Sequence, residues 1–346
     1  MSNLAIENKD VVINIPELNQ PIQLSVKLPQ QFIIKNIHGI DAASEAILEL
    51  LPQVRKVATE AFIDKNSQSW GTIQTLLYYL NYKDLLRIER MHDETPLVEY
   101  ALRKEIYNIW YAHTPSYKLD CLSDFNTQSA VEELALKASS HRINHHPLLQ
   151  MMAEQGLNLK SVKKFLENYY VNNRLFHLFI AALSFCTPLE RRTELACNFF
   201  DEMGAGDSAM AHPLLFLKNF DTIGKPDVIF PNPESLELVN AKTYAAFLSG
   251  DYHYGMGGFG FIELTMPDQM RKILTGLGKS GLPRADLEFW EIHITIDEEH
   301  GKTWFAEMLH LIKTPEHAQK CLLGGMRLLD ARADMYDGVL NAITNY

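Results

Sequence analysis

From Asp41 almost to the C-terminus, the apolar residues of this chain recur three or four positions apart, as in AILELLPQVRKVATEAF and TIQTLLYYLNYKDLLRIERM. That spacing collects them on one face of an α-helix, and each such face must pack against another element to leave water. The pattern therefore predicts a mostly helical protein. Extended signals lie between about Val11 and Ile37, where VVINI and IQLSVKLP are rich in β-branched residues and are broken by Pro16, Pro21 and Pro29. They predict a small hairpin or arm. Turn-forming clusters near Asp93 to Pro96, Thr114 to Phe125, His145 to Pro147, Thr187 to Pro188, Gly204 to Asp207, Gly224 to Pro233 and Lys279 to Pro283 divide the remainder. They leave roughly seven helices in residues 126–346, the size of one compact bundle. Residues 1–125 form an N-terminal extension of that bundle, or a smaller domain, with the β-arm and extra helices.

Composition removes several function classes. The 346 residues are 47% hydrophobic and 22% charged, the profile of a globular protein. The 32 Lys and Arg against 43 Asp and Glu give a net charge of −11, so a nucleic acid would meet repulsion. Leu175 to Cys186, the longest apolar stretch, is interrupted by His177 and Ser184 and falls far short of the roughly 20 residues that span a bilayer. The start MSNLAIENKD lacks the basic end and apolar core of a signal peptide, so a cytoplasmic protein is expected. Cys121, Cys186, Cys197 and Cys321 are scattered without a C-x-x-C pair, against a disulfide framework or thiolate zinc site. HPLLQMM and HPLLFLKNF look alike, but the likeness stops at their edges and reads as two similar helix starts.

The strongest chemical signal is FWEIHITIDEEHGKTWF, where His293, Asp297 and His300 stand at i, i+4 and i+7 and share one helix face. Imidazole nitrogens and a carboxylate oxygen are ligand types that suit iron or manganese. The alternative is a solvated polar face, opposed by Phe289, Trp290, Ile292, Trp304 and Phe305, which make this a core helix. In NFFDEMGAGDSAMAHPLLF, Glu202 precedes His212 by ten residues. An unbroken helix would turn about 1000° over that distance and leave them within roughly 80° of each other. Gly204 and Gly206 support the other reading, a helix end with a fresh start at Asp207 or Ser208. Glu263 sits in the apolar run GMGGFGFIELTMP, where an unpaired carboxylate is costly; the alternative is the outer face of a helix.

That run also reads Gly255-x-Gly257-x-x-Gly260, formally a dinucleotide fingerprint, but no strand precedes it and close helix packing explains it better. Glu167 and His177, in FLENYYVNNRLFHLF, read as ordinary helix residues or as partners of a site nearby. His141, His145 and His146 cluster at a helix start and read as surface or capping residues. Tyr169, Tyr170, Phe176, Phe179 and Phe259 are candidate pocket residues, with plain core as the alternative. No G-x-S-x-G elbow, P-loop, H-E-x-x-H or EF-hand loop occurs.

Taken in order, N-x-x-D-E-x-G-x-G leading to His212, then Glu263 in a helix with a proline behind it, then H-x-x-x-D-x-x-H, resembles the haem-oxygenase-like di-iron oxidases and oxygenases over roughly residues 140–346. The resemblance implies an all-α haem-oxygenase-like bundle related to the TenA and PqqC proteins. It implies two irons, O2 as co-substrate, an external reductant, and Glu202, His212, Glu263, His293, Asp297 and His300 as ligands. The chemistry implied is N-oxygenation or oxidative cleavage of a small amine or amino-acid-like substrate. A fatty-acid decarboxylase or desaturase, a metal-free TenA-like or PqqC-like enzyme, and a non-catalytic helical interaction protein are the alternatives. One departure is Ala209, where many N-oxygenating members carry a further carboxylate; Glu167 or His177 would fill the gap. The N-terminal residues lie outside the resemblance and either cover the bundle or form the interface of a homodimer.

Overall fold

The computed structural model describes residues 8–14, 22–34, 37–85 and 95–344. The breaks at Pro16, Pro21 and Asp93 lie outside the described residues, as does most of the MSNLAIENKD start. The chain forms two compact units, one of Met1–Pro115 with Asp227–Asn240, the other of Ser116–Pro226 with Ala241–Tyr346.

In the first unit, β1 (Asn8–Asn14) and β2 (Gln23–Pro29) pair antiparallel, with Val11 opposite Val26 and Ile13 opposite Leu24. This is the hairpin that the β-branched runs predict. A two-residue strand, β3 (Val228–Ile229), adds to the other edge of β2 in parallel, so β2 is the central strand and buries Leu24, Val26 and Leu28. The sequence carries no sign of β3, because two residues are too few to show a period. Helices α1 (Ile40–Phe62), α2 (Ser67–Leu85) and α3 (Thr95–Ala112) pack on one another. On α1, Leu50, Val54, Ala58 and Ala61 are buried at helical spacing. A buried polar network joins these helices to Asn240: Asn81 Nδ2 donates to Tyr107 Oη at 2.8 Å and Asn240 Oδ1 at 3.0 Å, and Asn240 Nδ2 donates to the Gln74 carbonyl at 2.9 Å. Asn240 lies on α10 (Pro233–Thr243), whose last turn, with Lys242, belongs to the second unit.

The second unit is helical: α4 (Thr127–Ser139), α5 (Pro147–Gln155), α6 (Leu159–Asn173), α7 (Phe176–Cys186), α8 (Arg192–Glu202), α9 (His212–Leu217), α11 (Tyr252–Lys279), α12 (Glu288–Leu311) and α13 (Pro315–Thr344). Side chains close four of the helix starts, two of them beside turn clusters that the sequence marks. Asn126 caps α4, His146 caps α5, Asn158 caps α6 and Asp251 caps α11, each accepting from a backbone N–H. His141 and His146 are buried and hydrogen-bonded to Asp330 and Asp337 of α13, each at 3.0 Å, so their capping goes with a core position rather than the surface one expected; His145 is exposed.

Helix α11 is the axis of this unit and packs against α5, α12 and α13. Its glycines let backbones touch: a methyl group on Gly257 would overlap the Cys321 carbonyl oxygen, and one on Gly324 would overlap that of Tyr254. The formal dinucleotide fingerprint is thus a helix crossing. No helix among the described residues is long and apolar enough to cross a membrane.

Candidate metal centre

Four helices, two of them joined by a tight loop, bring the candidate ligands together. On α12, His293, Asp297 and His300 lie on the single face that their spacing predicts and are 4%, 4% and 7% exposed. Glu263, 2% exposed, comes from the middle of α11, so the burial reading of this acid applies and the outer-face reading does not. Glu202 ends α8, and His212 opens α9.

The link from Glu202 to His212 corrects the unbroken-helix geometry. The helix stops at Glu202, and Gly204, Ala205 and Gly206 follow in the left-handed region at φ 87°, 51° and 98°. That conformation suits glycine and costs Ala205 energy. It folds the chain back through a turn at Ser208–Met210, so His212 Nδ1 reaches 3.0 Å from Glu202 Oε2. The two residues meet by reversal of the chain rather than by helical rotation.

The candidate ligands fall into two buried groups, Glu202, His212 and His293, and Glu263, Asp297 and His300, whose ligand atoms lie within 4.8 Å of one another in each group. His293 Nε2 is 3.9 Å from Glu202 Oε1, and His300 Nδ1 is 3.8 Å from Glu263 Oε2. His293 Nδ1 lies 2.7 Å from the Phe289 carbonyl, which takes its proton and leaves Nε2 with a lone pair facing the group. His300 Nε2 lies 3.1 Å from Asp201 Oδ2, which leaves Nδ1 to face Glu263. A carboxylate behind an imidazole is the arrangement that orients metal-binding histidines. Asn198 Nδ2 sits 3.2 Å from His300 Nδ1 and 3.4 Å from Glu263 Oε1.

The chemistry of these groups fits a cation. Buried polar atoms are normally hydrogen-bonded, yet His212 Nδ1 and Glu263 Oε2 are buried without a hydrogen-bond partner. His212 Nδ1 is close to Glu202 but is not aligned for a hydrogen bond to it. Protons serve the cluster poorly. Burial, with Glu263 and Glu202 beside it, pushes the Asp297 carboxyl well above the usual range. Burial and neighbouring His212 push His293 down to about 3. Against burial, Glu263 and Asp201 hold His300 up at about 9. Against burial again, His212 and His293 hold Glu202 down at about 2.

A pH dependence follows from these directions. At pH 7 the metal-free protein keeps a proton on His300, held up at about 9, and burial with Glu263 and Glu202 beside it biases Asp297 toward holding one as well. A divalent cation must displace them. Metal loading is expected to release protons, and the apparent affinity to rise with pH up to about 9, the His300 value, and to fall on acidification. Calorimetry in two buffers of different ionisation heat measures the release; loading without it would contradict this assignment of protons.

The remaining candidates separate. Glu167, half-buried on α6, lies near Lys163 and Lys164, and burial raises its pKa; it joins neither group. His177 packs its ring 6.5 Å from Phe199 and reaches Glu202 only through its charge. Ala209 is exposed on the turn before α9. Beside the two groups is a cavity lined by Glu202, Glu263, His293 and Asp297 on one part and by Tyr169, Phe176, Ile262, Met266 and Met270 on another. Tyr170, Phe179 and Phe259 do not line it; they stack in the core, Tyr170 on Phe216 and Phe179 on Phe259. Asn172, Asn173, Lys242 and Arg332 also line the cavity, and no sequence pattern singles these out. Asp201 is visible in the sequence only as a neighbour of Glu202.

Residues 163–333 match the family described as iron-containing redox enzymes. The chain is 23% identical over 215 residues to a protein named 4-aminobenzoate synthase from Nitrosomonas europaea, covering 58% of this chain and 86% of that one. A CADD-like protein of unknown function from Nostoc punctiforme superposes with a TM-score of 0.52 at 16% identity, over 63% of this chain and 98% of that one. A domain of unknown function with a haem-oxygenase-like fold from Shewanella denitrificans superposes with a TM-score of 0.51 at 16% identity, over 64% of this chain and 94% of its own. Residues 163–333, the stretch that matches the iron-containing redox enzymes, hold all six candidate ligands, and the fold is haem-oxygenase-like.

Proposed function

We propose that this chain is a non-haem di-iron oxidoreductase that uses O2 to oxidise a small aminobenzoate-like amine or amino acid, by N-oxygenation or oxidative cleavage. The observation that carries the reading is the pair of buried groups, each with carboxylate and imidazole donors and each containing residues of α12. Bound as a pair, ferrous ions would supply the electrons and open positions for O2 chemistry. Glu202 and His212, with His293, would hold one ion; Glu263, Asp297 and His300 would hold the other.

The rest is done by this chain's own side chains. Glu202, Glu263 and Asp297 would offset three of the four positive charges of two such ions. The Phe289 carbonyl and Asp201 fix the ring orientation of His293 and His300. Phe176, Ile262, Met266 and Met270 give the cavity an apolar wall that excludes water and receives the body of a small substrate. The name of the Nitrosomonas relative favours an aminobenzoate-like molecule as substrate or product.

The test is anaerobic loading of the full chain with Fe(II), followed by O2 and a reductant with and without 4-aminobenzoate and related amines. About two irons per chain and O2 uptake that depends on bound iron are the expected results. Absence of specific iron binding would remove the reading.

A further inference from the structure

Two basic side chains, Lys242 and Arg332, line the cavity beside the carboxylates and make no ion pair among the described residues. They are 1% exposed. Buried basic groups are rare and are ordinarily paired, because removing a charge from water is costly. On Arg332, Nε donates to Gln269 Oε1 at 3.0 Å, and Nη2 donates to Tyr169 Oη at 2.7 Å and Tyr336 Oη at 3.2 Å. Nη1 is left as the guanidinium nitrogen with no hydrogen bond. The Lys242 amine has no hydrogen bond either; its Nζ stands 4.8 Å from the centre of the Phe176 ring.

The structure assigns Lys242 and Arg332 as the anion-binding end of the cavity, which we propose takes the carboxylate of a small aromatic or apolar carboxylic acid. The two open donors, one amine and one guanidinium nitrogen, match the two oxygens of a carboxylate. Flanking Phe176, Ile262, Met266 and Met270 supply the wall for an uncharged body attached to it. Charge points the same way. Glu202, Glu263 and Asp297 give −3 when ionised; two divalent ions and Arg332 would leave the chamber at +2, and the carboxylate of an acid ligand would lower that to +1. This assignment rests on the cavity being the reaction chamber proposed above, and it makes Lys242 the residue that selects acids over their neutral analogues.

The experiment is calorimetric titration of the full chain with benzoate and with its neutral isostere benzamide, in wild type and in Lys242→Met and Lys242→Arg, each metal-free and loaded with Zn(II). Wild type is expected to bind benzoate at least tenfold more tightly than benzamide. Lys242→Met should lose about tenfold in benzoate affinity and nothing for benzamide, while Lys242→Arg keeps most of it. Methionine matches lysine in length and leaves no buried charge, so this variant is expected to fold; its melting temperature checks that. Equal binding of benzoate and benzamide by wild type, no benzoate binding in either metal state, or unchanged benzoate affinity in Lys242→Met would each overturn the assignment. Because the metal-free arm does not depend on bound ions, failure of the di-iron reading would show as absent Zn(II) or Fe(II) binding with benzoate selectivity intact.

Discussion

His293→Ala is expected to lower bound iron from about two per chain to one or fewer and to abolish iron-dependent O2 uptake. His293 belongs to the group with Glu202 and His212, and its ring centroid lies 4.4 Å from that of His212. Loss of a partner behind a ligand already costs metal proteins about 10-fold to 100-fold in affinity, so loss of a ligand itself should cost more. The effect should not come from unfolding. The imidazole is held at about 3 by burial and by His212, so its removal takes a neutral, crowded ring from the cluster. Iron counting by metal analysis, set beside the melting curve of the metal-free variant, separates the two causes. Full iron content in a folded His293→Ala protein would exclude His293 as a ligand.

Gly324→Val should have the largest effect on stability. Helices α11 and α13 cross so closely that a Cβ at Gly324 would overlap the Tyr254 carbonyl oxygen, a backbone atom that cannot swing away. Overpacking of this kind costs about 1–3 kcal/mol and more where backbone must move, so a loss of about 4 kcal/mol or outright failure to fold is expected. Gly278 lies on the same helix, α11, as Tyr254, and a methyl group there would have nothing within 4 Å. Gly278→Ala is therefore expected to be neutral or to stabilise by up to about 1 kcal/mol. Urea midpoints measure both, and similar losses at the two positions would refute the crossing as the cause.

How much of the fold and the site is legible in the sequence depends on how far apart the cooperating residues lie. His293, Asp297 and His300 are readable because one helix and one period fix their common face. Glu263 is readable as a problem, an acid in an apolar run, whose solution lies on another helix. For Glu202 and His212, helical rotation predicts the right pairing for the wrong geometric reason. Three consecutive left-handed residues turn the chain back there, and the glycines that announce a break are the cause of the meeting. Arg332 is hidden because α13 carries several charges at helical spacing, most of them on its outer side. Only the packing of α6 and α11 shows that this one points inward, to Tyr169 and Gln269. Lys242 carries no local signal at all. The return of Asp227–Asn240 to the first unit is equally silent, since it rests on a two-residue strand and on Asn240 hydrogen bonds to residues more than a hundred positions away.

If each of the two buried groups holds one ion, crystals of Fe(II)-loaded protein measured on both sides of the iron absorption edge will show it. Two anomalous peaks are expected, one among Glu202, His212 and His293 and the other among Glu263, Asp297 and His300, about 3.5–4 Å apart. A single peak, or peaks away from these six residues, would refute the two-ion site.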